Sequence, residues 1–117
     1  MHSKLLGMYS TNWANPHGLQ NIRNLTTIED MIKLCCEVWK DSHFRHICKT
    51  KKYLPIIERN GKPTSIEWEN TNKLLFKNID CVGMKTGITK QAGYCLASVF
   101  ERDSKSILGI VLSCKFF

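Results

Sequence analysis

Long apolar runs are missing from this chain. None approaches the roughly 20 residues that a membrane-crossing helix needs, so no membrane span is expected. The opening residues, Met1-His2-Ser3-Lys4-Leu5-Leu6-Gly7, are too short in their apolar part to read as a secretory signal. That leaves the compartment unassigned. No internal repeat or low-complexity tract occurs, which excludes a solenoid and makes one compact unit the expectation. Acidic residues are scarce: 10 against 17 lysines and arginines, a formal net charge of +7. Such a surplus suits nucleic acid, acidic lipid or an acidic partner. The lysines are nevertheless dispersed, apart from Lys49-Thr50-Lys51-Lys52, and no nucleic-acid-binding motif surrounds them. Electrostatics alone is a weak argument for nucleic acid, which is not the expected partner.

Regular cysteine spacing is also absent. The six cysteines stand at positions 35, 36, 48, 81, 95 and 114. A disulfide framework would suit a secreted chain, but without a visible signal free thiols are the better reading. Cys35, Cys36, His43, His46 and Cys48 could be imagined around a metal ion. They lack the C-x2-C and H-x3-H arrangements that bring four ligands to one tetrahedral centre, so neither metal nor other cofactor is expected.

What is present is enough for one small folded domain. The chain has 117 residues, 43% of them hydrophobic and 23% charged, so a core can form while much of the surface stays unburied. Residues 11–24, rich in Asn, Pro and Gly, read as loop and turn. Thr26-Thr27-Ile28-Glu29 has the form of a capping box, with Thr26 as N-cap and Glu29 reaching back. Apolar residues at Ile28, Met31, Ile32, Cys35, Cys36 and Trp39 predict a helix over 27–40 with one buried face, and Lys33, Glu37 and Lys40 away from it. One more helical turn is expected over 43–48. Extended segments 53–58 and 65–69 flank Asn60-Gly61-Lys62-Pro63 as a plausible hairpin. Residues 70–78 read as a loop with a helical turn at Leu74, Leu75 and Phe76. Strands are then expected over 82–85, 94–101 and 106–113, the last two joined by Arg102-Asp103-Ser104-Lys105. A meander with a helix over it makes the class α+β, an antiparallel sheet with covering helices.

The chemically informative segment runs from Val82 to Leu96. Lys85-Thr86-Gly87 stands at the end of a predicted strand, followed by Thr89, Ala92-Gly93 and another strand. A lysine there supplies fixed positive charge, a threonine a hydroxyl for a carboxylate, and a glycine room for a ligand's backbone. An edge strand of this kind can also take up a peptide as an added strand.

At these residues the chain resembles the serine D-Ala-D-Ala carboxypeptidases, the low-molecular-mass penicillin-binding proteins, whose third motif is K-T-G. Leu6-Gly7-Met8, Thr11 and Asn15-Pro16-His17-Gly18-Leu19 look like the family's L-G-M-x-x-T-x-F-x-N-P-H-G-L signature, with Trp13 at the aromatic position. Leu74-Leu75 before the triplet and Ala92-Gly93 after it agree as well. The resemblance runs from about Leu5 to Leu112 and implies a β-lactamase/transpeptidase-like fold, here in part. It further implies acyl-enzyme hydrolysis of peptides ending in D-Ala-D-Ala. Lys85 and Thr86 would bind the terminal carboxylate, Gly87 and Thr89 would complete the substrate-binding strand, and the Ile88 N–H would serve the oxyanion hole.

The family's nucleophile motif does not occur. None of Ser3, Ser10, Ser42, Ser65, Ser98, Ser104, Ser106 and Ser113 begins S-x-x-K, and Ser10-Thr11-Asn12 falls inside the other signature rather than where S-x-N belongs. Residues 1–117 are therefore expected to form a single partial domain, without catalytic residues of its own and inert alone. Two readings stay open: one part of a carboxypeptidase, or a non-catalytic structural or binding subunit. A protein partner would cover the missing half, and a D-Ala-D-Ala peptide or β-lactam would bind once that half is supplied. Relatives of this kind commonly act in the periplasm or outside the cell.

Other residues invite plainer readings. The His17 ring is expected in a structural hydrogen bond within a shaped loop, with Gly18 at positive φ. His43 and His46 are expected to face solvent or cap a helix. Cys81 and Cys95 are expected as small core residues, and Trp13, Trp39 and Trp68 in core or interface.

Overall fold

A computed structural model of the chain describes residues 2–115; the predicted span 1–117 exceeds this by Met1 and the last two residues. The first half carries α1 (His2–Leu5), α2 (Ile28–Val38), α3 (Ser42–Lys49), and strands β1 (Lys52–Tyr53), β2 (Ile56–Arg59), β3 (Lys62–Ser65) and β4 (Trp68–Glu69). Then follow α4 (Leu74–Lys77), β5 (Cys81–Thr89), β6 (Gly93–Arg102) and β7 (Lys105–Cys114). The long strands form one antiparallel sheet in the order β5-β6-β7, and β1-β4 and β2-β3 are separate two-stranded ladders. The class is α+β, as expected.

Helix α2 starts where Thr27, not Thr26, turns its hydroxyl to the Asp30 N–H at 3.2 Å. Thr26 is instead paired through its hydroxyl with Thr11, 2.9 Å away. The buried face is also rotated from the expected one. Cys35 is buried, with Met31, Val38 and Trp39 packed beside it, whereas Ile28, Ile32 and Cys36 are exposed. The cause is Asp30, which is buried because segment 10–11 hydrogen-bonds to it, and which draws its own side of the helix inward.

Asp41 caps α3 through the Phe44 N–H at 2.8 Å. Arg45 donates to the carbonyls of Trp39 and Lys40, which satisfies acceptors at the end of α2. The expected hairpin is built at β2-β3 around Asn60-Gly61, both at positive φ, with registers Ile57↔Thr64 and Arg59↔Lys62. Its outer ends pair separately as β1-β4, where the Tyr53 and Trp68 rings lie 6.1 Å apart. The single pair of longer strands expected over 53–58 and 65–69 is thus broken. Pro55, which can donate nothing to a ladder, lies between its halves.

The core lies between α2, α3 and the main sheet: Cys35, Met84, Ala97 and Val99 are buried, with Phe44, Leu108 and Ile110 against them. Strand β6 is central and buried on consecutive residues Ala97, Ser98 and Val99, so it is covered on both faces. On the face opposite Ala97 and Val99, Ser98 Oγ accepts a 2.9 Å hydrogen bond from the fully buried Asn72. The Asn72 carboxamide oxygen also accepts from the Leu74 N–H at 3.2 Å, starting the turn of α4. One residue therefore ties that turn to the sheet.

Candidate functional site

The triplet Lys85-Thr86-Gly87 lies inside β5 rather than at its end, because the strand runs on to Thr89 in register with β6. The registers are Lys85↔Ala97, Thr86↔Leu96, Gly87↔Cys95 and Ile88↔Tyr94. Strand β5 is an edge of the sheet, with β6 on one side only. Its triplet borders two openings. Toward α2 lies an apolar cleft of about 350 Å³ that includes Met31, Val38, Phe44 and Met84. Toward α4 lies a larger one of about 790 Å³, walled by residues 85–88 on one side and by Thr71, Lys73, Leu74 and Lys77 on the other.

Four of the five predicted binding residues, Lys85, Thr86, Gly87 and Ile88, line this second cleft. Lys85 is exposed, and its ammonium folds back onto the Thr86 carbonyl oxygen. Thr86 is half-buried as a residue, and its hydroxyl lies 2.7 Å from that of Thr71 in an exposed contact. A Cβ placed on Gly87 would meet nothing within 4 Å, so the backbone there is open to a close approach. Ile88 is 62% exposed and lines the cleft, in register with Tyr94 of β6. Thr89 points elsewhere: its hydroxyl bonds Gln20 and accepts from the Ala92 N–H, so it holds the β5–β6 turn to the loop 18–20 instead of facing a ligand.

The loop signature is built as a bracket. Leu19 N–H donates to His17 Nδ1 at 3.1 Å, Gly18 stands at φ +73°, and the Asn15 carboxamide bonds both Gly18 N–H and Leu19 O. This is the structural role expected of His17. Further along, Asp30 collects the Ser10 N–H at 2.9 Å, the Thr11 hydroxyl at 2.8 Å and the Lys33 ammonium at 3.1 Å. Burial pushes this carboxyl up, but the hydrogen bonds from Thr11, Lys33 and Ser10 and the charge of Lys33 outweigh it, and the net direction is down. Burial raises the Cys35 thiol, with neighbouring Cys36 adding to it, and also raises Cys48.

Cys81 is buried as expected and Cys95 half-buried, while His43 and His46 face solvent. Trp39 packs on the core, whereas Trp13 and Trp68 are about half exposed. Cys35, Cys36, Cys48, Cys81 and Cys95 are free thiols, and among the described residues no cluster of His, Cys, Asp and Glu could hold a metal ion. Among the described residues no helix is long and apolar enough to cross a membrane. Thr71, Lys73 and Lys77 were not foreseen at the site; the polar run Asn70-Thr71-Asn72-Lys73 signals only a loop until the fold sets it opposite β5.

A family model described as D-alanyl-D-alanine carboxypeptidase matches residues 1–115. A D-alanyl-D-alanine carboxypeptidase of Streptomyces sp. strain K15 is 33% identical over 110 residues, which cover 92% of this chain and 38% of that protein. One from Haemophilus influenzae is 32% identical over 108 residues, 91% of this chain and 26% of the relative. The chain thus spans well under half the length of these curated relatives. The crystal structure of the Streptomyces K15 DD-transpeptidase superimposes with a TM-score of 0.88 at 33% identity, over 95% of this chain and 43% of that one. Penicillin-binding protein D2 from Listeria monocytogenes, in its cefotaxime-bound form, gives a TM-score of 0.78 at 27% identity, over 96% and 44%. The fold is accordingly part of the DD-transpeptidase fold.

Proposed function

Because this chain belongs to the D-alanyl-D-alanine carboxypeptidase family, we propose that it supplies the substrate-carboxylate wall of an acyl-transfer site for peptides ending in D-Ala-D-Ala. The observation that carries this reading is the placement of Lys85 and Thr86 side by side on an open edge strand beside a cleft of about 790 Å³. Lys85 gives the carboxylate a charge and Thr86 gives it a hydroxyl donor. The Ile88 N–H is the donor for the oxyanion that develops at the scissile carbonyl. Gly87 lets the peptide backbone lie close to β5, as an added strand would. In the family reaction a serine oxygen bonds to that carbonyl carbon, the terminal D-Ala leaves as its amine, and water then hydrolyses the ester.

These 117 residues contain no S-x-x-K, so the nucleophile and its base must come from elsewhere. Alone, the chain does not acylate, and the titration below asks whether its wall of the site holds the peptide before the missing half is supplied. The test pairs two measurements on one sample. Titration with acetyl-D-Ala-D-Ala, followed by backbone amide NMR, should move the resonances of residues 85–88. Intact mass after incubation with a β-lactam should show no covalent adduct. An adduct on this chain would show that it holds a nucleophile outside the motif. No shift at 85–88 would remove the carboxylate site.

A second reading, a non-catalytic structural or binding subunit, is favoured by the apolar surface left open. Ile22, Ile56, Ile79 and Ile107 are each at least 69% exposed, and Ile88 lies beside the cleft. A partner chain would cover such surface. Sedimentation of the isolated chain distinguishes the two: self-association that disappears with a partner supports the subunit, and a stable monomer with a sharp melt counts against it.

A further inference from the structure

A third opening, of about 510 Å³, lies apart from the triplet strand, between the last turn of α3 and the β1-β4 ladder. Its ladder wall is aromatic. Tyr53 and Trp68 are direct cross-strand partners, their ring centres 6.1 Å apart and their planes tilted by 39°, and both are more than half exposed. The helix wall is Ile47, also more than half exposed, with His46 and Thr50 beside it. Asn70 holds the two walls together: its N–H donates to the Lys51 carbonyl at 2.8 Å, and its carboxamide donates to the carbonyls of Cys48 and Thr50 at 3.2 and 3.0 Å. An aromatic pair in register stabilises a ladder by itself, which would account for the two rings. It does not account for the apolar helix residue and the polar groups that line the same cleft. Those polar groups are uncommitted: among the described residues the Trp68 indole N–H, the Tyr53 hydroxyl and the His46 ring take part in no hydrogen bond or ion pair. The charges nearby are compensated. Glu69 is paired with Lys73 and lies 3.9 Å from Lys52, Lys52 bonds Glu67 at 2.9 Å, and Lys49 bonds Glu101 at 3.1 Å. Lys51 lies 5.9 Å from the centre of the Phe76 ring and does not line the cleft.

Open ring faces beside uncommitted donors and acceptors, with little net charge, select a particular chemistry. An apolar side chain would strip water from the Trp68 N–H, the Tyr53 hydroxyl and the His46 ring without replacing its hydrogen bonds. A nucleic acid needs unpaired cations along its phosphates, and the lysines around this cleft are paired with carboxylates. A sugar ring presents C–H faces to aromatic rings and hydroxyls, each both donor and acceptor, to the polar groups around them. We propose that this cleft binds an uncharged saccharide, stacked on the Trp68 and Tyr53 rings and hydrogen-bonded by the Trp68 N–H and the His46 ring. It shares no lining residue with the cleft beside β5, so it stands independently of the carboxylate site.

Neutral oligosaccharides test it: cellotriose, maltotriose and tri-N-acetylchitotriose, each titrated into the chain and followed by amide and indole N–H NMR. At least one should move the Trp68 indole resonance together with the amides of residues 46–53 and 68–70, and leave residues 85–88 in place. Trp68→Ala should weaken that probe about tenfold or more, the combined scale of ring stacking and lost apolar contact. Trp68→Phe keeps a ring and should weaken it less. Because Trp68→Ala also removes a ladder partner, Ile47→Ser on α3 supplies a variant that leaves the ladder intact, and it should weaken the same probe. Raising sodium chloride to about 0.5 M should leave the affinity unchanged, since no ion pair holds the ligand. No response of Trp68 to any of the sugars, or binding that survives both Trp68→Ala and Ile47→Ser, would overturn the inference. Oligothymidylate moving the same resonances where the sugars do not, with an affinity that falls as salt rises, would overturn it in favour of nucleic acid. Amide spectra of each variant verify that it is folded.

Discussion

The hydroxyl oxygens of Thr71 and Thr86 lie 2.7 Å apart, joining the loop before α4 to the triplet strand across the mouth of the cleft. If Thr71 donates, the Thr86 proton is free for a carboxylate and its oxygen is polarised, which makes it a better donor. Thr86→Val should therefore weaken acetyl-D-Ala-D-Ala about tenfold or more, the scale of a hydrogen bond to a charged group. Thr71→Val should weaken it only about two- to fivefold, because it removes support rather than contact. Calorimetric affinities of the two variants check the order; equal losses would mean that Thr71 itself touches the ligand.

Asn72 predicts a stability effect at a distance from any ligand. It is 1% exposed and bonds Ser98, which is 2% exposed, at 2.9 Å. Asn72→Leu should cost about 1–3 kcal/mol, since it leaves the Ser98 hydroxyl without its donor and the Leu74 N–H without its acceptor. The pair Asn72→Leu/Ser98→Ala should cost less than the sum of its parts. Urea midpoints of the two single variants and the double variant measure this coupling, and strict additivity would refute it.

Gly83 is required by its neighbour. A Cβ there would stand 2.9 Å from two carbons of the Trp39 indole and 3.2 Å from Cys48 Cβ. Gly83→Ala should destabilise by about 1–3 kcal/mol, as overpacking does. Because both indole carbons belong to the six-membered ring, the same change should cost less in a Trp39→Phe background. Thermal melts of the four combinations decide it.

Asp30 predicts how the fold responds to acid. Burial alone would raise its carboxyl, but the hydrogen bonds from Thr11, Lys33 and Ser10 and the Lys33 charge hold it below the ordinary value. The folded-state pKa is then below the unfolded one, so the unfolded chain takes up the proton first as pH falls. The stabilisation is complete above about pH 4, the unfolded value, and is lost as pH drops through the depressed folded value. Asp30→Asn should thus be least stable relative to the parent at neutral pH, with the gap narrowing on acidification. Urea midpoints at neutral pH and in steps below about pH 5 test it; a gap that widens with acid would reverse the sign.

Much of the fold is legible in the residues themselves. Helical spacing after Thr27, the Asn60-Gly61 turn, the glycine at 18 and the β-branched stretches around Arg102-Asp103-Ser104-Lys105 all act through local backbone preference and burial, so they predict α2, the β2-β3 hairpin, the loop bracket and the β6-β7 meander. The triplet Lys85-Thr86-Gly87 and the 6–19 signature likewise point to the family from their order alone. What only tertiary structure decides is pairing between parts that are distant in sequence. Asp30 rotates the buried face of α2 because segment 10–11 comes back to it, and periodicity carries no record of a partner twenty residues away. Thr71 and Lys77 line the same cleft as Lys85 only once Asn72 anchors the start of α4 to β6, a long-range hydrogen bond that no local pattern encodes. Residue type fixes what each side chain can do, and the packing of β5 against α3 and α4 fixes which of them meet.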